Sequence, residues 1–283
     1  MQATTLYEGE ALSVYAYRCS AGPADRPFVE MHRRHSLSYV RSGSFGYRTL
    51  GAEHELVAGA VMVGRPGREY VATHEHHGRG DECLSVKLSP DFAEALGGES
   101  LWRLPRVPPL PELMVLGELA QAAAEERTGI GVDEAVLVFA GKCAELATAR
   151  ATRPAVDARA RRRAVAAALW LEARAAEPVR LEDAAREAGL SPFHFLRLFE
   201  RVVGVTPHQY VLRLRLARAA KLLVEENLAV TDVALEAGFA DLSNFVRTFG
   251  RVAGVSPREF RKSARRASSG ERKILQARFA HAA

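Results

Sequence analysis

Long apolar runs are the first thing this chain lacks. The longest near-continuous stretch among its 283 residues covers 164–171. That is far below the roughly 18 residues of a membrane span, so it reads as part of an ordinary helix and no membrane partner is expected. Cysteine is scarce as well. Cys19, Cys83 and Cys143 are widely spaced and odd in number, which gives no disulfide framework and fits a reducing compartment. The N-terminal residues Met-Gln-Ala-Thr-Thr-Leu-Tyr-Glu lack the basic-then-apolar order of a secretion signal, and a cytoplasmic protein is the expectation. What remains is ordinary for a soluble globular chain: 48% apolar and 26% charged residues, at a length suited to about two domains.

The formal net charge of +5 is unevenly shared. Residues 155–283 hold 23 Lys and Arg against 14 Asp and Glu, whereas 1–154 hold 16 against 20. A basic half joined to a mildly acidic half suggests one polyanion-binding domain and one domain with another task. An Arg-rich background composition is the plain alternative.

Residues 10–90 read as short strands. The segments 12–17, 44–50, 59–63 and 83–88 are rich in Val, Tyr, Phe or Leu and are separated by Gly, Pro and Ser clusters, at the spacing of an antiparallel barrel or sandwich. Four prolines within 103–111 mark an extended connection. Helices are expected over 111–127 and 132–150, with a Thr-Gly-Ile-Gly break between them. The Arg153–Pro154 step is a candidate boundary. The expected organisation is thus a β domain over 1–105, a linker with helices over 106–154, an all-α domain over 155–266 and a basic, disordered tail over 267–283.

An internal repeat lies within the helical part. Residues 181–207 recur as 230–257, with an offset of 49 at Gly189 and Gly238 that becomes 50 at Phe199 and Phe249. Each copy begins with a short Ala-rich helix. A glycine then lets the chain leave that helix with positive φ (Gly189, Gly238). A new N-cap follows, Ser191 before Pro192 in the first copy and Asp241 in the second. The second helix carries an apolar stripe: Phe195, Leu198, Phe199 and Val202, or Phe245, Phe249 and Val252. These are the parts of a helix-turn-helix. Each copy ends in a capping box, Thr206-Pro-His-Gln209 and Ser256-Pro-Arg-Glu259. From the first box, 207–226 reads as one helix of about 30 Å, close to the roughly 34 Å between major-groove faces on one side of DNA.

These residues resemble the AraC/XylS family of bacterial transcription activators. The resemblance covers about 157–262 and rests on Ala-Gly-Phe-Ala-Asp-Leu-Ser-Asn-Phe-Val-Arg-Thr-Phe (237–249), Gly-Val-Ser-Pro-Arg-Glu-Phe-Arg (254–261) and Ser-Pro-Phe-His-Phe-Leu-Arg-Leu-Phe (191–199). It is specific because the glycine, the aromatic core and the Gly-Val-Ser/Thr-Pro end all occur twice. It implies base contacts from Phe193, His194, Leu196 and Arg197 in the first copy and Leu242, Ser243, Asn244 and Arg247 in the second. Arg pairs bidentately with guanine and Asn with adenine. Arg197 and Arg247 occupy matching positions, so an ion pair with an acidic residue on the preceding helix is the alternative. Arg159, Arg161, Arg162 and Arg163 either reach phosphate or form a solvated face.

The resemblance also implies an all-β, cupin-like N-terminal barrel followed by helices, ahead of the all-α domain with its two helix-turn-helix units. The barrel would sense a small molecule and the adjoining helices would form a homodimer. Operator DNA and RNA polymerase are the partners it implies, and transcription activation the outcome. Gly59 to Gly67 resembles the turn between cupin strands. The enzyme-type His-x-His then Glu motif is absent at its expected place, where His32 and His35 have the wrong spacing, which argues against a dioxygenase. One cluster stands apart. His74-Glu75-His76-His77 precedes Cys83 by a Gly-rich turn. His74, His76 and Cys83, completed by His32 or His35, are candidate ligands for zinc or another transition metal, and the input would then be a metal or thiol signal. The alternative is a polar loop beside a barrel mouth with Cys83 as a small buried residue.

Overall fold

A computed structural model of the chain describes residues 1–27, 29–74, 80–96, 99–128, 130–147 and 157–266. Its N-terminal part is a sheet-rich layer. Eight strands come first: β1 (Gln2–Glu8), β2 (Leu12–Cys19), β3 (Val29–Met31), β4 (His35–Thr49), β5 (Ala52–Val57), β6 (Val61–Gly64), β7 (Glu69–Thr73) and β8 (Asp81–Leu88). Two short helices, α1 (Pro90–Ala95) and α2 (Glu99–Arg103), then lead to the two-residue β9 (Arg106–Val107) on the edge of β6.

The strands do not close into the expected barrel. The hydrogen-bonded order β1-β2-β8-β4-β6-β9 is open at both ends, while β5 and β7 pair with β4, and β3 with β7. The strand β4, which is 15 residues long, shapes this layer. Its first part pairs with β6 and β8 and its last part with β5 and β7. The register slips between Val40 and Ser42, and Gly43 follows at φ 76°. A bulge of this kind bends a strand and raises its twist, so one strand serves two sheets that face each other. The bulged residue, Arg41, is aimed at the helical side, where its guanidinium donates to Glu118 at 2.9 Å.

Period-two alternation sorts the central strands into two faces. Val14, Leu37, Tyr39, Leu84 and Val86 are buried against helices. Their neighbours Tyr15, Ser36, Ser38, Cys83 and Ser85 line the opposite side.

The helical side begins with α3 (Pro111–Ala124) and α4 (Val132–Ala147). Every residue of α3 from Leu113 to Ala124 is buried, so α3 has no outward face. Of the two helices expected to support dimerisation, only α4 keeps exposed positions among the described residues. The expected Arg153–Pro154 boundary and the tail 267–283 lie outside the described residues.

Seven helices follow: α5 (Ala158–Ala173), α6 (Leu181–Glu187), α7 (Pro192–Val203), α8 (Pro207–Glu225), α9 (Val230–Glu236), α10 (Leu242–Ala253) and α11 (Pro257–Arg266). Gly189 and Gly238 have φ of 62° and 92°, the left-handed conformation that ends α6 and α9 and turns the chain into the next helix. Asp241 accepts from Asn244 N–H at 2.7 Å. Thr206 and Gln209 form the reciprocal capping box at the start of α8. At Ser191 the cap differs from expectation: its hydroxyl lies 2.9 Å from His194 Nδ1 and makes no side-chain bond to the backbone.

Each copy packs a matching aromatic cluster. Phe195, Phe199 and Tyr210 pack edge-on or steeply tilted in the first, with ring centroids 5.4 and 5.6 Å apart. Phe245, Phe249 and Phe260 do so in the second, at 5.5 and 5.2 Å. All six rings are buried. One apolar cluster runs without a break from the helix-facing side of the strands through α3 to α11.

Truncation of a central ring in such a cluster removes its apolar burial and leaves a cavity. Phe249→Ala is therefore expected to cost about 3–5 kcal/mol of unfolding free energy, read as a lower urea midpoint. An unchanged midpoint would show that the second cluster does not support the fold.

Candidate functional site

The two second helices, α7 and α10, present the faces expected to read a duplex. Phe193, His194 and Arg197 are exposed, as are Leu242, Ser243 and Arg247. Leu196 and Asn244 are half-buried. The buried stripes of both helices face inward, so the outward residues are left for a partner. Phe193 is 63% exposed. The Arg197 guanidinium lies 5.7 Å from that ring's centroid. Arg247 donates to Asn244 Oδ1 at 3.4 Å, and Thr248 donates to the same oxygen at 3.2 Å. Among the described residues neither arginine pairs with an acidic side chain, so the ion-pair alternative is not what the structure shows. Sequence reasoning missed Val246, which is exposed at the position matching Leu196. Period 3.6 from Ser243 and Arg247 would have placed it on the outer face.

Between the two heads runs α8. Its 19 residues span about 28 Å at 1.5 Å per residue. The helix is gripped from the N-terminal side. It packs on α3, Arg213 donates to the Pro109 carbonyl, and Arg127 pairs with Glu225. The Arg106 guanidinium donates to the Val202 carbonyl of α7 at 2.9 Å. The start of α5 is likewise occupied. Arg161 pairs with Glu53 and lies 3.7 Å from Glu55, both on β5. Arg163 donates to the Gly189 carbonyl at 2.8 Å. Neither reading of this arginine run holds for these two: they tie α5 to β5 and to the turn of the first helix-turn-helix.

The strand face opposite the helices lines a cavity of about 660 Å³. Tyr15, Tyr17, Met62 and Tyr70 supply apolar surface, and Lys87 lies 4.3 Å from the Tyr15 ring centroid. Of the ligands expected from sequence, His74 and Cys83 lie among the described residues, both beside Asp81. His74 Nε2 meets Cys19 Sγ at 3.4 Å and Asp81 Oδ2 at 3.2 Å. Cys83 instead donates to the other Asp81 oxygen at 3.6 Å and packs among Val40, Phe45 and Tyr47. Burial, with the Asp81 carboxylate beside it, pushes the Cys83 thiol well up, so it stays protonated. His32 stacks on Tyr70 with centroids 4.3 Å apart and has Nε2 3.0 Å from the Tyr47 hydroxyl. Burial, helped by Arg68, pulls its pKa down to about 4. His35 lies against Trp102. His76 falls outside the described residues.

A buried carboxylate joins the halves. Glu172 of α5 accepts from the Gly43 N–H of β4 at 3.2 Å, and its second oxygen is out of solvent with no hydrogen-bond partner among the described residues. Loss of hydration pushes its pKa up to about 7, with the Gly43 N–H opposing.

Residues 184–263 match a family model described as a helix-turn-helix domain. The chain is similar to the HTH-type transcriptional activator AarP of Providencia stuartii, 34% identical over 79 residues, which is 28% of this chain and 58% of AarP. It is similar to the probable transcription factor PqrA of Proteus vulgaris, 33% identical over 96 residues, covering 33% of this chain and 79% of PqrA. Among solved structures it is similar to a transcriptional regulator from Chromobacterium violaceum described by its AraC-type DNA-binding domain, at 30% identity, 39% of this chain, 98% of that one and a TM-score of 0.36. The chain thus spans little more than half of AarP. No helix among the described residues is long and apolar enough to cross a membrane.

The Glu172 carboxyl has a raised folded-state pKa, so its contribution is fully present below the unfolded value of about 4.5 and is lost as pH rises through about 7. Wild type should lose on the order of 3 kcal/mol between pH 4.5 and 8 relative to Glu172→Gln, measured by urea unfolding of both proteins. Parallel pH profiles would refute a protonated Glu172 at this contact.

Proposed function

This chain belongs to the AraC-type family of DNA-binding transcription regulators, and we propose that it activates transcription from an operator read by both of its helix-turn-helix units. The observation that carries this reading is the pair of outward faces on α7 and α10, both exposed and held apart by the single helix α8. A span of about 28 Å is near the roughly 34 Å of one duplex turn, so one subunit would enter two successive major-groove segments. The heads are not alike. Phe193 and Leu196 would make apolar contacts, as to a thymine methyl, whereas Ser243, Asn244 and Arg247 offer hydrogen bonds to base edges. His194 and Leu242 flank these contacts, and Arg197 is the guanine reader of the first head.

AarP, an HTH-type transcriptional activator, favours activation, with RNA polymerase as the partner. The sheet domain would play the sensory part of a cupin-like module. Its cavity is within the roughly 300–1,000 Å³ of small-molecule sites. An effector there touches strands whose other face packs on α3, and α3 grips α8. Pairing of subunits would use the outward face of α4. Such a protein acts where DNA is, in the cytoplasm.

Genomic footprinting would supply the operator. On it, Arg247→Ala should cost about 1–3 kcal/mol and relax preference at one base pair, seen by competition binding with operators varied position by position. A uniform loss on every sequence would make Arg247 a phosphate contact. Wild-type-like binding would remove it from the interface.

A further inference from the structure

Cys19, His74 and Asp81 sit at one end of the cavity, and their arrangement follows from strand register. Cys19 ends β2 directly opposite Asp81, which begins β8. Gly80 makes that approach possible: it has φ of 73°, and a Cβ there would lie 1.8 Å from the Cys19 carbonyl oxygen. His74, just past β7, comes in from the facing sheet. Cys19 Sγ lies 3.4 Å from His74 Nε2, and Asp81 Oδ2 lies 3.2 Å from the same nitrogen. The three donor atoms all fall within 4.8 Å of one another.

Both neighbours converge on one ring nitrogen. That nitrogen holds either one proton or one lone pair, so a proton shared with Asp81 leaves the sulfur facing an atom already committed. A cation at the centre would satisfy all three at once. Tetrahedral zinc with bonds of about 2.3 Å to sulfur and about 2.0–2.2 Å to nitrogen and oxygen requires ligand–ligand edges of about 3.6 Å (S to N) and about 3.4 Å (N to O). The observed separations are each about 0.2 Å shorter, and the third edge, sulfur to oxygen, is no longer than 4.8 Å. The Asp81 carboxylate is held in place by the Cys83 thiol on its other oxygen, the kind of outer support that fixes a metal-binding carboxylate.

We propose that Cys19, His74 and Asp81 form a three-ligand site for Zn²⁺, with the fourth coordination position open to the cavity. Binding replaces the Cys19 thiol proton, which passes to solvent, and forms the S–Zn, N–Zn and O–Zn bonds with no change in oxidation state. The site stands independently of the DNA-binding reading, since operator binding is measured separately.

The test is Co²⁺ titration of the untagged, chelator-treated full chain. One equivalent should produce a thiolate-to-cobalt charge-transfer band, and excess Zn²⁺ should abolish it. Cys19→Ser should lose the band, and His74→Ala should weaken binding at least about tenfold. Cys83→Ala should keep the band, because that thiol only supports Asp81. Circular dichroism of each metal-free variant checks that it is folded, and a zinc-induced rise in the wild-type melting temperature supplies a readout free of variants. No band in wild type, a band retained in folded Cys19→Ser, or a band lost in folded Cys83→Ala would each overturn the proposal.

Discussion

Burial of α3 is the constraint on which the rest of this structure depends. A helix with no outward face must be covered on every side. Here the cover comes from β4 on one side, α4 on another, and α8 and α10 of the helix-turn-helix region on the third. Neither half of the chain completes its apolar core alone. Polar contacts reinforce this arrangement: within the first half Arg41 and Tyr39 reach Glu118 on α3, and across the boundary Arg161 of α5 reaches β5. A buried ion pair such as Arg41–Glu118 adds little net stability but is costly to break one partner at a time. It therefore fixes how α3 sits more than how strongly.

The duplication is most faithful where packing demands it. Phe195, Phe199 and Tyr210 have counterparts in Phe245, Phe249 and Phe260, buried and in similar ring geometry. The positions just before each cluster have diverged, Phe193 against Ser243 and His194 against the half-buried Asn244. Interior shape tolerates little change in volume, while the outer faces are free to differ in what they read.

This contrast explains how much was legible in the sequence. The helix-turn-helix units could be placed to within a residue or two because their signals are local: positive-φ glycines, capping boxes and a 3.6-residue apolar stripe. The strand layer was read in part. The first half of β4, with Ser36 and Ser38 alternating with Leu37 and Tyr39, went unread because its cavity-facing side chains are small and polar rather than apolar. The open edges at β1 and β9 were not readable either, since strand order is set by pairings between distant segments. The grouping of Cys19, His74 and Asp81 was not legible for a related reason. Cys19 lies 55 residues from His74 and meets Asp81 only through the pairing of β2 with β8. No linear spacing carries a cross-strand register.

The continuous core has a consequence for the covalent link between α4 and α5. If α3 is covered by α8 and α10, and α5 is tied to β5 and β4, the peptide between residues 147 and 157 is not what keeps the two halves together. A chain cut there after folding would persist as a two-piece complex. The affinity of the pieces for each other would then be a direct measure of how strongly the sheet-rich half holds the helical half.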